Sequence, residues 1–270
     1  KILRLPHHIN ILINFSDENF LMTFLRARKY SMDKVFDSFE KALIFVRNHE
    51  DWFDWNGDRL QRAIDLYNSG FLKVMKHRDC EGRRVIIGNN KLDMARFNAD
   101  DVFRLHCMII LSLALEEETQ INGAIIIDDF TAGITMKYLT MFPLKSIYDF
   151  TLQLKVTPIR LKNIFIVGLP SFAAQFLNIL KLGLSEVMHK RLQVLDNLSD
   201  LWSFVDQSIM TKDYDGTVDE DDAIEDFRKI LEPKLDELRK FLEFDLDMNK
   251  AASLKNNHEN IGSFRKLEID

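Results

Sequence analysis

The 270 residues carry 36 Lys and Arg against 42 Asp and Glu, a formal net charge of −6, with 46% hydrophobic and 29% charged residues. That is a globular composition with room for a sizeable core and an internal cavity, and it argues against a disordered or nucleic-acid-binding protein. Two cysteines, Cys80 and Cys107, far apart and without CxxC spacing, argue against a disulfide framework or a zinc site and point to a reducing compartment.

The charge is uneven. Residues 213–247 hold fourteen Asp and Glu and five Lys and Arg, net −9, which leaves +3 elsewhere and allows a local basic patch for an acidic membrane surface. No secretory leader is read, although the chain begins on Lys1 rather than Met, which points to sequence upstream.

Taken in order, residues 16–48 predict two helices. Ser16-Asp-Glu-Asn opens the first, Phe20, Leu21, Phe24 and Leu25 have helical spacing, and a turn near Tyr30-Ser31 starts a second with Val35, Phe36, Phe39, Leu43 and Val46 on one stripe. Trp52-Phe-Asp-Trp-Asn-Gly57 reads as a loop with aromatic anchors, and a third helix follows near 59–68. From Gly70 the period changes. Strands are expected over 71–76 and 83–87, flanking the turn Arg78-Asp-Cys-Glu-Gly82, then a helix over 100–115. The run Ala124-Ile-Ile-Ile127 fits a strand buried on both faces. Helices at 135–141 and 143–155, a strand at 162–167, a helix at 171–183, a strand at 191–195 and a helix at 197–204 complete an alternation that implies a mostly parallel sheet with packed helices. Residues 222–244 form a charged amphipathic helix with Phe227, Ile230, Leu231, Leu235, Leu238 and Leu242 as its stripe.

The motifs of common enzymes are missing: no G-x-S-x-G, Walker A, G-x-G-x-x-G or H-E-x-x-H occurs. Asp128-Asp129 at a strand end is placed like the acids of α/β enzymes, but no histidine or nucleophile is tied to the pair by sequence. Residues 211–222 partly match a calcium loop at Asp213, Asp215, Gly216 and Val218, with Thr211 and Asp222 at the first and twelfth positions where Asp and Glu belong. Neither catalytic residues nor a metal or cofactor site is expected.

Two helices are more informative. On 100–115, Phe103, His106, Cys107 and Ile110 share a face that is apolar apart from one imidazole. His106 is either a core histidine satisfied by a backbone carbonyl or a hydrogen-bonding point in an apolar cavity. Ser171–Leu184 carries one charge in fourteen residues and is followed by the basic knot His189-Lys190-Arg191. At about 21 Å long it is too short for the roughly 30 Å bilayer core, so it is a lid, a lipid-facing surface or a core helix.

Several separated segments resemble one family. Phe24-Leu-Arg-Ala-Arg-Lys-Tyr30, Gly82-Arg-Arg-Val-Ile86, Pro158-Ile-Arg-Leu-Lys-Asn-Ile-Phe-Ile-Val-Gly-Leu-Pro170, Leu184-Ser-Glu186 and Asp213-Tyr-Asp-Gly216 occur in the order found in the CRAL-TRIO lipid-binding family, most closely its tocopherol-transfer and retinaldehyde-binding branch. The resemblance covers about residues 15–245. It implies a CRAL-TRIO-like α/β fold, with a helical N-terminal domain over 1–69 and a lipid-binding domain over 70–270 that ends in the C-terminal helix. It further implies a lipid cavity closed by a lid helix at 171–184, and basic residues beside the lid that bind phosphoinositide. The matching positions are Arg28, Arg160 and Arg191, with Lys162 and Lys190 nearby.

The chain departs from the family at several of its positions. Val187 stands where a basic residue is found, Lys181-Leu-Gly-Leu184 replaces a Lys-Pro-Phe-Leu hinge so that Gly183 is expected to supply flexibility, and Asp215 replaces the first glycine of a Tyr-Gly-Gly turn. His106 stands for a serine and Asp128 for a phenylalanine of the pocket.

The expected function is non-catalytic binding of one hydrophobic small molecule (a tocopherol, retinoid or other isoprenoid) and its transfer between membranes by a cytosolic monomer that meets anionic surfaces transiently. The alternatives are a phosphatidylinositol-binding regulatory module and a lipid-modifying enzyme. Expected cavity walls are Phe103, His106, Ile110, Ala124, Ile126, Asp128, Leu152, Gln153, Val156, Ile159, Ile164 and Ile166, with Phe172, Phe176, Ile179, Leu180 and Leu184 on the lid. His106 or Gln153 would hold the ligand's polar end.

Overall fold

The computed structural model describes residues 2–4, 10–13 and 18–246. Two short strands, β1 (Ile2–Arg4) and β2 (Asn10–Ile13), precede the helices α1 (Glu18–Ala27), α2 (Met32–Asn48), α3 (Glu50–Phe53) and α4 (Gly57–Asn68). The expected start of α1 at Ser16-Asp17 lies outside the described residues. Phe20 and Phe24 are buried, and the Phe24 ring meets Phe39 of α2 edge-on at 5.1 Å, which is what the spacing of the apolar positions demands. The segment expected to be a loop at Trp52 begins as the helical turn α3. Trp52 stacks 4.4 Å from Phe103 and donates Nε1–H to Asp100, so distant partners, not local propensity, hold the turn.

Next come β3 (Leu72–Val74), β4 (Arg84–Gly88), α5 (Ala99–Ala114), α6 (Glu117–Asn122), β5 (Ala124–Asp129), α7 (Met136–Met141), α8 (Leu144–Val156) and β6 (Leu161–Val167). A 3-10 turn at Ser171–Ala173 leads into α9 (Ala174–Gly183), then α10 (Glu186–Arg191), β7 (Leu192–Leu195), α11 (Leu198–Leu201), α12 (Glu220–Leu242) and β8 (Phe244–Leu246). Strands β3 to β7 form one sheet in sequential order, parallel except for the antiparallel β3–β4 pair. The second sheet, β1-β2-β8, is antiparallel and was invisible to a local pattern because β2 finds its partner at the other end of the chain. Helix α10 was also missed: the basic knot is its last turn, where cations face the negative end of the helix dipole.

Strand β5 shows why both faces are buried. Ala124 and Ile126 join the larger core with α1–α5, α7–α9 and α12, while Ile125 and Ile127 join a second core with Leu201, Val205, Met210 and Tyr214. Helix α5 lies within the larger core and is buried almost all round. Its start is fixed by a capping box in which Asn98 and Asp101 each accept the other's backbone N–H. At the sheet edge the fully buried Lys73 ammonium reaches Asp213 at 2.7 Å and Glu220 at 2.9 Å, tying α12 to β3.

Candidate ligand-binding cavity

A cavity of about 100 Å³ opens on one face of the sheet, at the carboxyl ends of the parallel strands. Its floor is one row across the sheet. Leu72 pairs with Gly88, Gly88 with Asp128 and Asp128 with Ile166, and all four line the cavity. Val102, Phe103 and His106 of α5 form one wall, and Tyr138, Phe142, Ile147 and Phe150 around α7 and α8 form the other. Phe176, Leu177 and Leu180 of α9 make the roof, while Phe71, Asn90, Phe130 and Leu169 close the rim. The aromatic rings brace each other: Phe103 lies 5.7 Å from Phe142 and 5.5 Å from Phe150, and Phe142 meets Phe176 edge-on at 6.4 Å.

Four polar side chains interrupt this lining. His106 Nδ1 stands 2.8 Å from the Val102 carbonyl, so the proton sits on Nδ1 and Nε2 remains an acceptor. Burial lowers the histidine's pKa and favours this neutral form. The ring is anchored to backbone and also lines the cavity. The Tyr138 hydroxyl donates to Asn90 Oδ1 at 2.6 Å, and Asn90 Nδ2 donates to the Asp129 carbonyl. Asn90 has a φ of 53°, a left-handed conformation that asparagine tolerates. Asp128 makes no hydrogen bond or ion pair to any described residue, and burial pushes its pKa up to about 7. Its neighbour Asp129 faces the opposite side of the sheet, accepting from Thr131 and from the Tyr214 hydroxyl at 3.0 Å. The two carboxyls are thus separated by the strand.

Of the expected wall and lid residues, Phe103, His106, Asp128, Ile166, Phe176 and Leu180 come together here. Ile110, Ala124, Ile126, Ile159, Ile164 and Leu184 are packed into the core away from the cavity, and Leu152, Val156 and Ile179 lie half-buried against it. Gln153 donates to Cys107 Sγ at 3.1 Å instead of facing a ligand space. Phe172 is 47% exposed. The cavity is lined from α5 by Val102, Phe103 and His106, from the strands by Asp128 and Ile166 among the expected residues, and from α8 by Ile147 and Phe150, so none of the expected α8 positions Leu152, Gln153 and Val156 reaches it. The aromatic run Phe130, Tyr138, Phe142, Phe150 is the signal that would have marked its depth.

Gly183, expected as a flexible point, is a point of close packing. It is buried at the end of α9, and a β-carbon there would collide with Thr151 of α8. In the calcium-like stretch Asp213 binds Lys73, and Asp215 takes a left-handed conformation, φ 58°.

The basic residues gather near the end of α8 and the start of β6. Arg28 donates to the Lys155 carbonyl at 2.7 Å, Arg160 to the Ile121 and Arg26 carbonyls, and Arg191 to the Leu161 carbonyl. Lys190 is exposed and Lys162 half-buried.

The model for the CRAL/TRIO domain matches residues 68–216, a span that contains the five-stranded sheet and every residue of the cavity lining. The chain belongs to the CRAL/TRIO family. It is similar to the alpha-tocopherol transfer protein-like protein of Mus musculus, 28% identical over 214 residues, which are 77% of this chain and 60% of that protein. It is also similar to Clavesin-1 of Xenopus laevis, 24% identical over 210 residues, 75% of this chain and 62% of the relative. The chain thus spans about 60% of the length of the tocopherol-transfer-like relatives it matches. Among solved structures, Sfh5 superposes with a TM-score of 0.51 at 13% identity, covering 83% of this chain and 84% of Sfh5, which supports the CRAL/TRIO fold. Among the described residues no helix is long and apolar enough to cross a membrane.

Proposed function

We propose that this CRAL/TRIO chain binds one hydrophobic small molecule in the cavity beneath α9 and carries it between membranes through the cytosol, without chemistry, as a monomer. The observation that carries this reading is the cavity itself: apolar and aromatic on every side, with a few convergent polar groups, the combination that holds and orients a greasy ligand. Relatives named for tocopherol transfer support an isoprenoid of that type.

Size adds a mechanical requirement. About 100 Å³ is less than the roughly 150 Å³ cavity that accepts benzene, so a lipid enters only when the roof moves. Helix α9 is the element that moves. It carries Phe176, Leu177 and Leu180 inward, and Leu182 at its end is 73% exposed. Phe172, Val187 and Leu144 add exposed apolar surface on adjoining segments. This surface meets lipid when the roof lifts, and burial of the cargo afterwards supplies affinity at about 25 cal/mol per Å² of apolar area.

Arg28, Arg160 and Arg191 each use only part of a guanidinium's five donors on backbone carbonyls, leaving donors for anionic headgroups together with Lys162 and Lys190. In this reading helices α1–α4 of the N-terminal part, which also holds β1 and β2, act as a platform for the lipid-binding part that follows. The test is transfer of a fluorescent tocopherol or retinoid between vesicles. We expect transfer to rise in proportion to protein concentration with the lipid recovered unaltered; an unaltered background rate would refute the reading.

A further inference from the structure

We propose that the cavity selects a lipid whose buried polar end donates a hydrogen bond and carries no negative charge, an alcohol, phenol or amine, and that Asp128 is the residue that receives it. This rests on the cavity being the ligand site.

The first ground is the absence of any other partner. Asp128 lines the cavity floor and bonds to no described residue. The carboxyl is half-buried and opens into the cavity, so a ligand filling this apolar space strips its remaining water and must supply a partner in exchange. The second ground is that its neighbours on the cavity wall are already committed. Tyr138 spends its hydroxyl proton on Asn90, and His106 spends its Nδ1 proton on the Val102 carbonyl. His106 and Tyr138 are the only other titratable groups on the lining, and no Lys or Arg is among them. Nothing there would neutralise a carboxylate or phosphate head, which Asp128 would repel.

The third ground is access. Gly88, its partner across the β4–β5 ladder, has no side chain; a β-carbon placed there would press on Leu72 Cδ1 at 3.3 Å and come into contact with Asp128 Oδ1 at 3.6 Å. The missing side chain leaves the carboxyl open from the cavity. A carboxyl oxygen of Asp128 accepts from an amine or alcohol, while His106 Nε2 offers a second acceptor on the same lining.

The experiment uses four probes with one skeleton: farnesol, farnesylamine, farnesoic acid and the hydrocarbon farnesene, each competing against a fluorescent lipid for the full chain at pH 7.5. We expect the alcohol and the amine to bind at least tenfold more tightly than the acid, with the hydrocarbon below the alcohol. The size of the gap between alcohol and amine reports which donor is preferred. Asp128→Asn should abolish the preference for the amine and raise acid binding. Gly88→Ala, which crowds the carboxyl without altering it, should weaken the alcohol more than the acid and gives a second reading if the first variant folds poorly. Equal binding of acid and alcohol to the parent chain, or an unchanged order in both variants, overturns the assignment of Asp128 alone. Failure of all four probes to compete would overturn the cavity as a ligand site, and this inference with it.

Discussion

Gly183 and Thr151 approach so closely that a β-carbon on the glycine would collide with the threonine hydroxyl oxygen and lie 3.1 Å from the Tyr148 carbonyl. The end of the roof helix is thus seated directly on α8, and glycine is required there by proximity; its φ is not in the left-handed region. Gly183→Ala should cost about 1–3 kcal/mol, the usual range for overpacking, and lower the melting temperature by several degrees. Thermal denaturation followed by circular dichroism checks this; an unchanged midpoint would mean that α9 is free to shift on α8.

Phe176 and Leu182 separate two jobs of one helix. Phe176 faces the cavity and packs against Phe142, whereas Leu182 is 73% exposed. Phe176→Asp should abolish both ligand binding and vesicle transfer with the fold retained. Leu182→Asp should leave binding in detergent-free solution intact and slow transfer at least severalfold. Equal behaviour of the two variants in both assays would contradict the division.

Exposed cations give a salt-dependent effect. Lys162→Glu with Lys190→Glu touches no backbone carbonyl of the cluster and should weaken binding to phosphoinositide-containing vesicles severalfold at low salt. The difference should shrink as salt shortens the Debye length from about 10 Å at 0.1 M. Flotation with vesicles at two ionic strengths measures it; indifference to both charge reversal and salt would remove the headgroup site.

Asp128 also leaves a mark on stability. An acid whose folded-state pKa, here about 7, exceeds its unfolded value of about 3.9 binds its proton more tightly when folded. Its contribution is fully present below about 4 and is lost as pH rises towards 7 and beyond. Asp101 and Glu116 act in the opposite sense: burial works against their ionisation, yet hydrogen bonds from Arg62 and Arg84 hold both below the ordinary range, so their contribution disappears as pH falls. Comparing Asp128→Asn with the parent isolates the first effect. The melting temperature of the variant should overtake that of the parent increasingly from pH 5 to pH 8. A difference independent of pH would show that the carboxyl is solvated.

Most of the architecture was legible because periodicity reports burial: the alternation from Leu72 to Leu195 follows directly from apolar runs such as Ala124–Ile127 and helical stripes such as Phe103, Cys107 and Ile110. What escaped were elements held by distant partners. Trp52 is helical because Phe103 and Asp100 receive it, and β2 is a strand because Phe244–Leu246 pairs with it. For the cavity, a stripe tells which face of α5 or α8 turns inward but not where along the axis the packing leaves a gap. That depth depends on side-chain volumes from five elements at once, so Ile110 and Gln153 were expected at the cavity while Val102 and Phe150 were not.

The floor row Leu72–Gly88–Asp128–Ile166 has one further consequence. Each position comes from a different strand and the ladder aligns them, while a side chain added at Gly88 would touch both Leu72 and Asp128. Within such a grid the cargo is written in four letters. A methyl at the second would make the chamber shallower, and an apolar residue at the third would change its preference from an alcohol to a hydrocarbon.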